Sequence, residues 1–381
     1  MPVVHWSLLS KSARTARSSH CASATKSGLL VVYGGELKPR VPVDSATTRT
    51  EGPIRGSVHV FDTNAPKPWQ TLDPQIDPAR SVPDARVGAS MVAIDGHLYL
   101  WGGRGGVNMA PLAQGDAGWW RGEVSIGGAS PATVVWDKVE AVNPDESPEP
   151  RSYHTAAAYE GKIYVHAGCP ASGRLSSLHS FDVQTRRWQQ LASAPEPARG
   201  GTSLVAASVK HWGPVLLRYG GFSGYELPST PGVLDVYSIH EDKWRTVQPA
   251  ADPVHGHPGS RSVHGFAKFQ SSSPGLASAL AVLFHGERDA SSLGHAGAGK
   301  FWSDVWLLNK DAAAEDGEAG WAWQKVDVLA QDVADRAATP EGRGWFASTE
   351  VVDNVRSRVF MHGGLLSSNE RSDELWELQI E

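Results

Sequence analysis

Glu287, Asp289 and His295 lie close together in the stretch AVLFHGERDASSLGHAGAGKFWSDVWLL, residues 281–308. Carboxylate and imidazole donors, left with open positions, are the ligand types of a catalytic ferrous site. His285 sits two residues ahead of Glu287 and is a further candidate for the same shell. Glycines at 286, 294, 297 and 299 would let the loop turn back on itself. From the residues alone, a solvated acidic loop is the commoner reading of such a cluster. A second chemical set is Arg17, Arg86, Arg151, Arg199, Arg261 and Arg343. Their planar, permanently charged forks suit an anionic ligand, if they gather at one opening. The alternative is that they bond loop carbonyls or a neighbouring unit. Trp302, Trp345 and the pair Trp119-Trp120 could wall a pocket, or simply pack.

The elements that must position these residues repeat six times. Apolar runs end in Gly-Gly or a near match at LLVVYGG, LYLWGG, IYVHAG, VLLRYGG, LAVLFHG and RVFMHGG, finishing at Gly35, Gly103, Gly168, Gly221, Gly286 and Gly364. Each of the six arginines introduces the strand-like segment ahead of one run. A third strand follows most of the glycine breaks, as VHVFD, LHSFD, LDVYS, DVWLLN and ELWEL. A fourth opens near Trp69, Trp136, Trp188, Trp244 and either Trp321 or Trp323. Four alternating strands per unit, repeated six times, predict an all-β, six-bladed propeller. Residues 1–381 are expected to form one domain. The sixth unit lacks a fourth strand, and Trp6-Ser7-Leu8-Leu9 has no strands before it, so the N-terminal segment is expected to close the ring. In the second unit the third strand is hidden between Arg104 and Val135, with Val107–Asp116 read as loop.

The long insertions, Glu36–Gly56, Arg104–Thr133, Phe222–Gly232, Glu287–Ser303 and Leu365–Ser372, all fall on the arginine face. His20, His154 and His264 follow arginines in Arg-Ser-x-His and are expected to bond between blades. Cys169 should lie near the same mouth, as a small buried hydrophobe rather than a nucleophile.

Composition narrows the partners. A net charge of −6 argues against nucleic acid, and no apolar run is long enough to span a membrane. Two distant cysteines, with no signal-peptide pattern at the N-terminus, point to a reducing compartment and hence to the cytoplasm. No P-loop, dinucleotide fingerprint, Gly-x-Ser-x-Gly or Cys-x-x-Cys is found.

The glycine doublets, spaced aromatics and following tryptophans resemble the Kelch repeat over nearly the whole chain. GERDASSLGHAGAGKFWSDVW further resembles the iron loop of the plant nitrile-specifier, thiocyanate-forming and epithiospecifier proteins. That likeness implies ferrous iron held by residues at four-residue intervals, here Glu287, Ser291 and His295. Serine stands where the family has aspartate, and Asp289 is the nearest carboxylate. It also implies arginines, at Arg86 and Arg151, holding a small anionic substrate. The expected function is therefore a specifier-type lyase acting on a sulfur- or nitrogen-containing anion. A protein-binding Kelch module and a metal-free isomerase or lyase remain alternatives. In the first reading Glu287, His295, Arg86 and Arg151 are the catalytic set.

Overall fold

The computed structural model describes residues 2–43, 55–65, 68–75, 81–113, 115–126, 132–314, 319–328, 339–352 and 357–381. Six sheets of four or five strands follow one another around a ring. Blade 3 shows the plan: Thr155–Tyr159, Lys162–His166, Leu178–Asp182 and Arg187–Leu191 pair antiparallel in chain order. Blades 1, 4 and 5 repeat it from Cys21, Ser203 and Gly265. In blade 2 the hidden third strand is Trp119–Ser125, and Ala110–Pro111 adds a short extra strand. Parts of two insertions, residues 44–54 and 127–131, lie outside the described residues.

The ring closes as expected. Val3–Lys11 pairs antiparallel with Glu374–Ile380 as the outer strand of blade 6. Trp6 is buried against Phe284, His285 and Trp376. Asp327–Val328 then adds a parallel edge beside Val3 and Val4.

Four of the five fourth-strand tryptophans staple neighbouring blades through hydrogen bonds, whereas Trp69 of blade 1 packs its ring on His362 of blade 6. The four indole N–H groups donate backwards, Trp136 to Gly56, Trp188 to Ala117, Trp244 to Ala192 and Trp323 to Gly232, at 2.7–2.8 Å. Trp323 rather than Trp321 therefore holds this position in blade 5. Each of these four bonds satisfies an indole N–H that burial would otherwise leave unpaired, as it leaves those of Trp69, Trp101 and Trp119 among the described residues.

The glycine doublets have an equally local cause. Gly34 and Gly363 take left-handed backbone, at φ 70° and 68°. A Cβ on either would sit 2.5 Å from the carbonyl oxygen of Arg86 or Arg17. Ala167 and His285 adopt the same left-handed turn where the doublet is imperfect. The second glycine of each pair donates its N–H to the carbonyl of the next blade's arginine, at 2.8–2.9 Å all the way round.

A second ring lies beside the first. Two residues after each arginine stand Ser19, Gly88, Tyr153, Gly201, Val263 and Trp345, all with φ between 45° and 64°. Each donates its backbone N–H to the carbonyl of the preceding member, and Ser19 donates to Trp345 (2.7–3.1 Å). Six amides thus form a closed cycle around the propeller axis. Members of this cycle line the cavity at the mouth and also the smaller one beneath it. The cycle is the partition between them.

Candidate functional site

The mouth of the propeller holds a cup of about 240 Å³. Its wall is built from one equivalent position per blade, the residue that follows each glycine turn. These are Glu36, Arg104, Cys169, Phe222, Glu287 and Leu365, and all six line the cup. In most blades this residue bridges back to the one after the arginine, as Ser18 with Glu36, Ser152 with Cys169, Gly200 with Phe222 and Ser262 with Glu287. That short ladder turns each side chain over the partition. Tyr153, Gly201, Val263 and Trp345 supply the floor. Left-handed backbone is costly for residues other than glycine, and Val263 is β-branched. The closed hydrogen-bond cycle is what holds Tyr153, Val263 and Trp345 there.

The six arginines do not form the mouth. Arg17, Arg86, Arg151, Arg199, Arg261 and Arg343 are at most 4% exposed and none lines the cup. Each Nε donates to the carbonyl two residues back: Thr15, Asp84, Glu149, Pro197, Gly259 and Glu341. Each Nη1 donates to the first residue of its own glycine turn, Gly34, Gly102, Ala167, Gly220, His285 and Gly363. Arg261 also grips Asp304 through two bonds of 2.8 and 3.0 Å, and Arg343 meets Glu374 at 2.9 Å. The side chains satisfy carbonyls that the tight turns would otherwise leave buried and unpaired. A guanidinium spent in this way has its donors turned from the ligand, so these residues are scaffold rather than anion holders. The inner strands begin one to four residues after the arginines, not at them.

The cations that do line the cup are Arg104, Arg174 and Arg371. Arg104 Nε donates to Ser152 Oγ at 2.7 Å and its Nη2 reaches the carbonyls of Pro170 and Cys169 at 3.4 and 3.5 Å, which leaves Nη1 without a hydrogen bond among the described residues. Arg174 lies over the Phe222 ring, 5.0 Å from its centroid. Among the described residues neither forms an ion pair, whereas Arg371 is 3.7 Å from the Glu36 carboxylate. Burial raises the Glu36 carboxyl, with Arg40 and Arg371 opposing part of the rise. The Cys169 thiol is half-buried in the wall and is also pushed up by burial, partly offset by Arg174 and Arg104.

The loop after residue 286 splits its candidates. Glu287 is 5% exposed and lines the cup. Burial pushes its carboxyl up to about 7, against the Gly299 amide and the Trp345 side chain. Gly299 packs on that carboxyl so closely that a Cβ would strike Glu287 Oε1. His295 leans over the cup between Tyr153 and Trp345, with ring centroids 6.3 and 5.7 Å away, and desolvation lowers its pKa. Asp289 turns outward to Arg288 and Lys300. Ser291 Oγ accepts the Leu293 N–H. Among the described residues no three His, Cys, Asp or Glu side chains are grouped to hold a metal. Glu287, Ser291 and His295 line the cup together, but Asp289 faces away. The loop thus brings the cup one carboxylate, one imidazole and a hydroxyl that already accepts a backbone N–H, a donor set that does not fit the ferrous site their types suggest.

Trp345 lines the cup, but Trp302 does not. Its indole donates to Ser260 and its ring takes Arg261 and Arg288 on its face. Trp119 and Trp120 are buried in the sheets. His154 bonds Ser90 at 2.7 Å, and His20 bonds His362 at 3.0 Å, each across a blade boundary. No hydrogen-bond partner of the His264 ring is found among the described residues. Among the described residues no helix is long and apolar enough to cross a membrane.

Comparison with known proteins agrees with this architecture. The Thlaspi arvense protein named N-(sulfonatooxy)prop-2-enimidothioate sulfolyase is 25% identical over 377 residues, covering 94% of this chain and 91% of its own. Tip elongation aberrant protein 3 of Schizosaccharomyces pombe is 24% identical over 200 residues, covering 48% of this chain and 16% of its own. A family description, the KLHDC2/KLHL20/DRC7 Kelch-repeats domain, matches residues 45–272. That match spans more than half of the sequence, and the chain belongs to this Kelch-repeat family.

Proposed function

We propose that the cup binds a small sulfate- or sulfonate-bearing molecule and that the protein is a specifier-type lyase. The observation that carries this reading is the pair Arg104 and Arg174. They stand in the wall of an aromatic cup with no ion-pair partner among the described residues. Two uncompensated guanidiniums favour an oxyanion, which they can meet with parallel charge-assisted hydrogen bonds. The likeness to a sulfolyase along almost the whole chain supports the class of reaction.

The geometry suggests what each part does. Arg104 and Arg174 would hold the sulfooxy group. When the N–O bond to that group breaks, its electron pair leaves on the sulfate oxygen while a bonding pair at the thioimidate carbon shifts to nitrogen to replace it, and the same guanidiniums stabilise the charge growing on sulfate. Tyr153, His295 and Trp345 would cover the remainder of the substrate and keep water from it. Glu287 and His295 bring one carboxylate and one imidazole to the cup, fewer donors than a catalytic ferrous site uses.

The test is sulfate release from an N-(sulfonatooxy) thioimidate, with the organic products identified. Wild-type protein should change the rate or the product ratio relative to buffer, and Arg104→Ala with Arg174→Ala should remove the change. Rates and products equal to those in buffer would refute the reading.

A further inference from the structure

The glycine-turn position places unlike charges on opposite sides of the cup. Blades contact one another in chain order around a closed ring, so blade 2 faces blade 5. Arg104 occupies the wall position of blade 2 and Glu287 that of blade 5. Arg174, from blade 3, lies on the Arg104 side beside Cys169. Glu287 has no cationic partner within ion-pair distance among the described residues, in contrast to Glu36, which has Arg371. Its carboxyl is fixed by Gly299 and Trp345 rather than by a positive charge.

Of the loop residues that could share a metal with Glu287, His295 is the one metal-type donor in the cup among the described residues, too few to fix an ion there. Asp289 is engaged outside the cup, and the hydroxyl of Ser291 is bonded within its own turn. We infer that Glu287 contacts the ligand directly, and that the cup selects dipolar molecules with an oxyanion at the Arg104 end and an N–H or O–H donor at the Glu287 end. A buried carboxylate held by neutral N–H groups and no cation is costly, so a ligand donor that reaches it gains a charge-assisted bond. The inference rests on the anion end of the proposed function and adds the opposite end.

Two probes separate the ends. Taurine carries a sulfonate and an ammonium, and 1-propanesulfonate carries the sulfonate alone. Both should be titrated calorimetrically into EDTA-treated protein. Taurine should bind about tenfold tighter or better, the gain expected of one charge-assisted bond. Glu287→Gln should bring the two probes level, while Arg104→Ala should weaken both. If Glu287→Gln does not fold, Glu287→Asp, which keeps the charge but shortens the reach, should narrow the gap.

Equal affinities of the wild type for both probes would overturn the donor end and leave the anion end standing. No binding of either probe would overturn both. Uptake of one ferrous ion per chain, lost in His295→Ala, would also overturn direct contact, since a metal would then stand between Glu287 and the ligand.

Discussion

Two residues flank every glycine turn of this propeller, and they behave in opposite ways. The arginine is the same in all six blades, is buried in all six, and makes the same two bonds to backbone carbonyls. The residue after the turn is Glu, Arg, Cys, Phe, Glu and Leu in turn, and every one of them faces the cup. Identity around the ring marks a demand of the backbone, which is the same in each blade. Variety at equivalent positions marks a surface on which the backbone makes no such demand. A chemically attractive side chain that recurs without change is therefore scaffold here, and the odd members are the site.

The comparison can be broken first at the scaffold. Removing residues 1–11 takes away the outer strand of blade 6 together with buried Val4 and Trp6. Thermal unfolding should show loss of the cooperative transition, a far larger effect than the roughly 0.5–3 kcal/mol of ordinary substitutions. An unchanged melting curve would mean that the ring is held shut by other contacts.

Next in size is a single scaffold arginine. Arg261→Ala would leave Asp304, bonded also to Trp306, facing a buried gap. Breaking such a pair costs about 3–5 kcal/mol. Denaturant unfolding should show that loss, against about 1 kcal/mol or less for Arg174→Ala, whose ring contact lies in the cup. Equal costs for the two would erase the distinction between scaffold and site.

Acid should act on the scaffold too. Burial lowers the pKa of His20, His59, His154, His166, His179, His264, His285 and His362, to about 2 for His59 and about 3 for His154, His285 and His362. These imidazoles are neutral when folded and take up protons near pH 6.5 when unfolded. Their contribution is complete above pH 6.5 and is lost as pH falls toward the folded values. Glu36, Glu226, Glu287 and Glu350 are raised by burial, to about 8 for Glu226 and about 7 for Glu287 and Glu350, and oppose this between about pH 4.5 and 8. Eight groups outweigh four, so melting temperature should fall as pH is lowered from 7 to 5. A flat or rising profile would show that the histidines are not buried as neutral rings.

Much of the fold was legible because its causes are local. Glycine at a left-handed turn, tryptophan seeking a carbonyl, and alternation along strands each leave a mark in sequence. The third strand of blade 2 was harder, because Trp119-Trp120-Arg121-Gly122 lacks the aromatic pattern shared by the others. Glu287, His295 and Trp345 were identifiable by type and do reach the cup. Arg104 and Arg371 were not, since charged loop residues are common and nothing in their own type marks them. A signal for Arg104 was present all the same: it directly follows a glycine doublet, at the position that varies from blade to blade. Arg174 reaches the cup from the loop beyond Cys169, and only the folded chain shows that.

The smallest effect in energy is the most direct test of where ligands bind. Calorimetric titration of 1-propanesulfonate should be carried out on the wild type, on Arg104→Ala and on the double variant Arg104→Ala/Arg174→Ala. Each charge-assisted contact is worth about 1.5–3 kcal/mol, so affinity should fall at least tenfold in the single variant and further in the double, with melting temperatures little changed. Wild-type affinity in the double variant would contradict the assignment of the cup wall as the anion site.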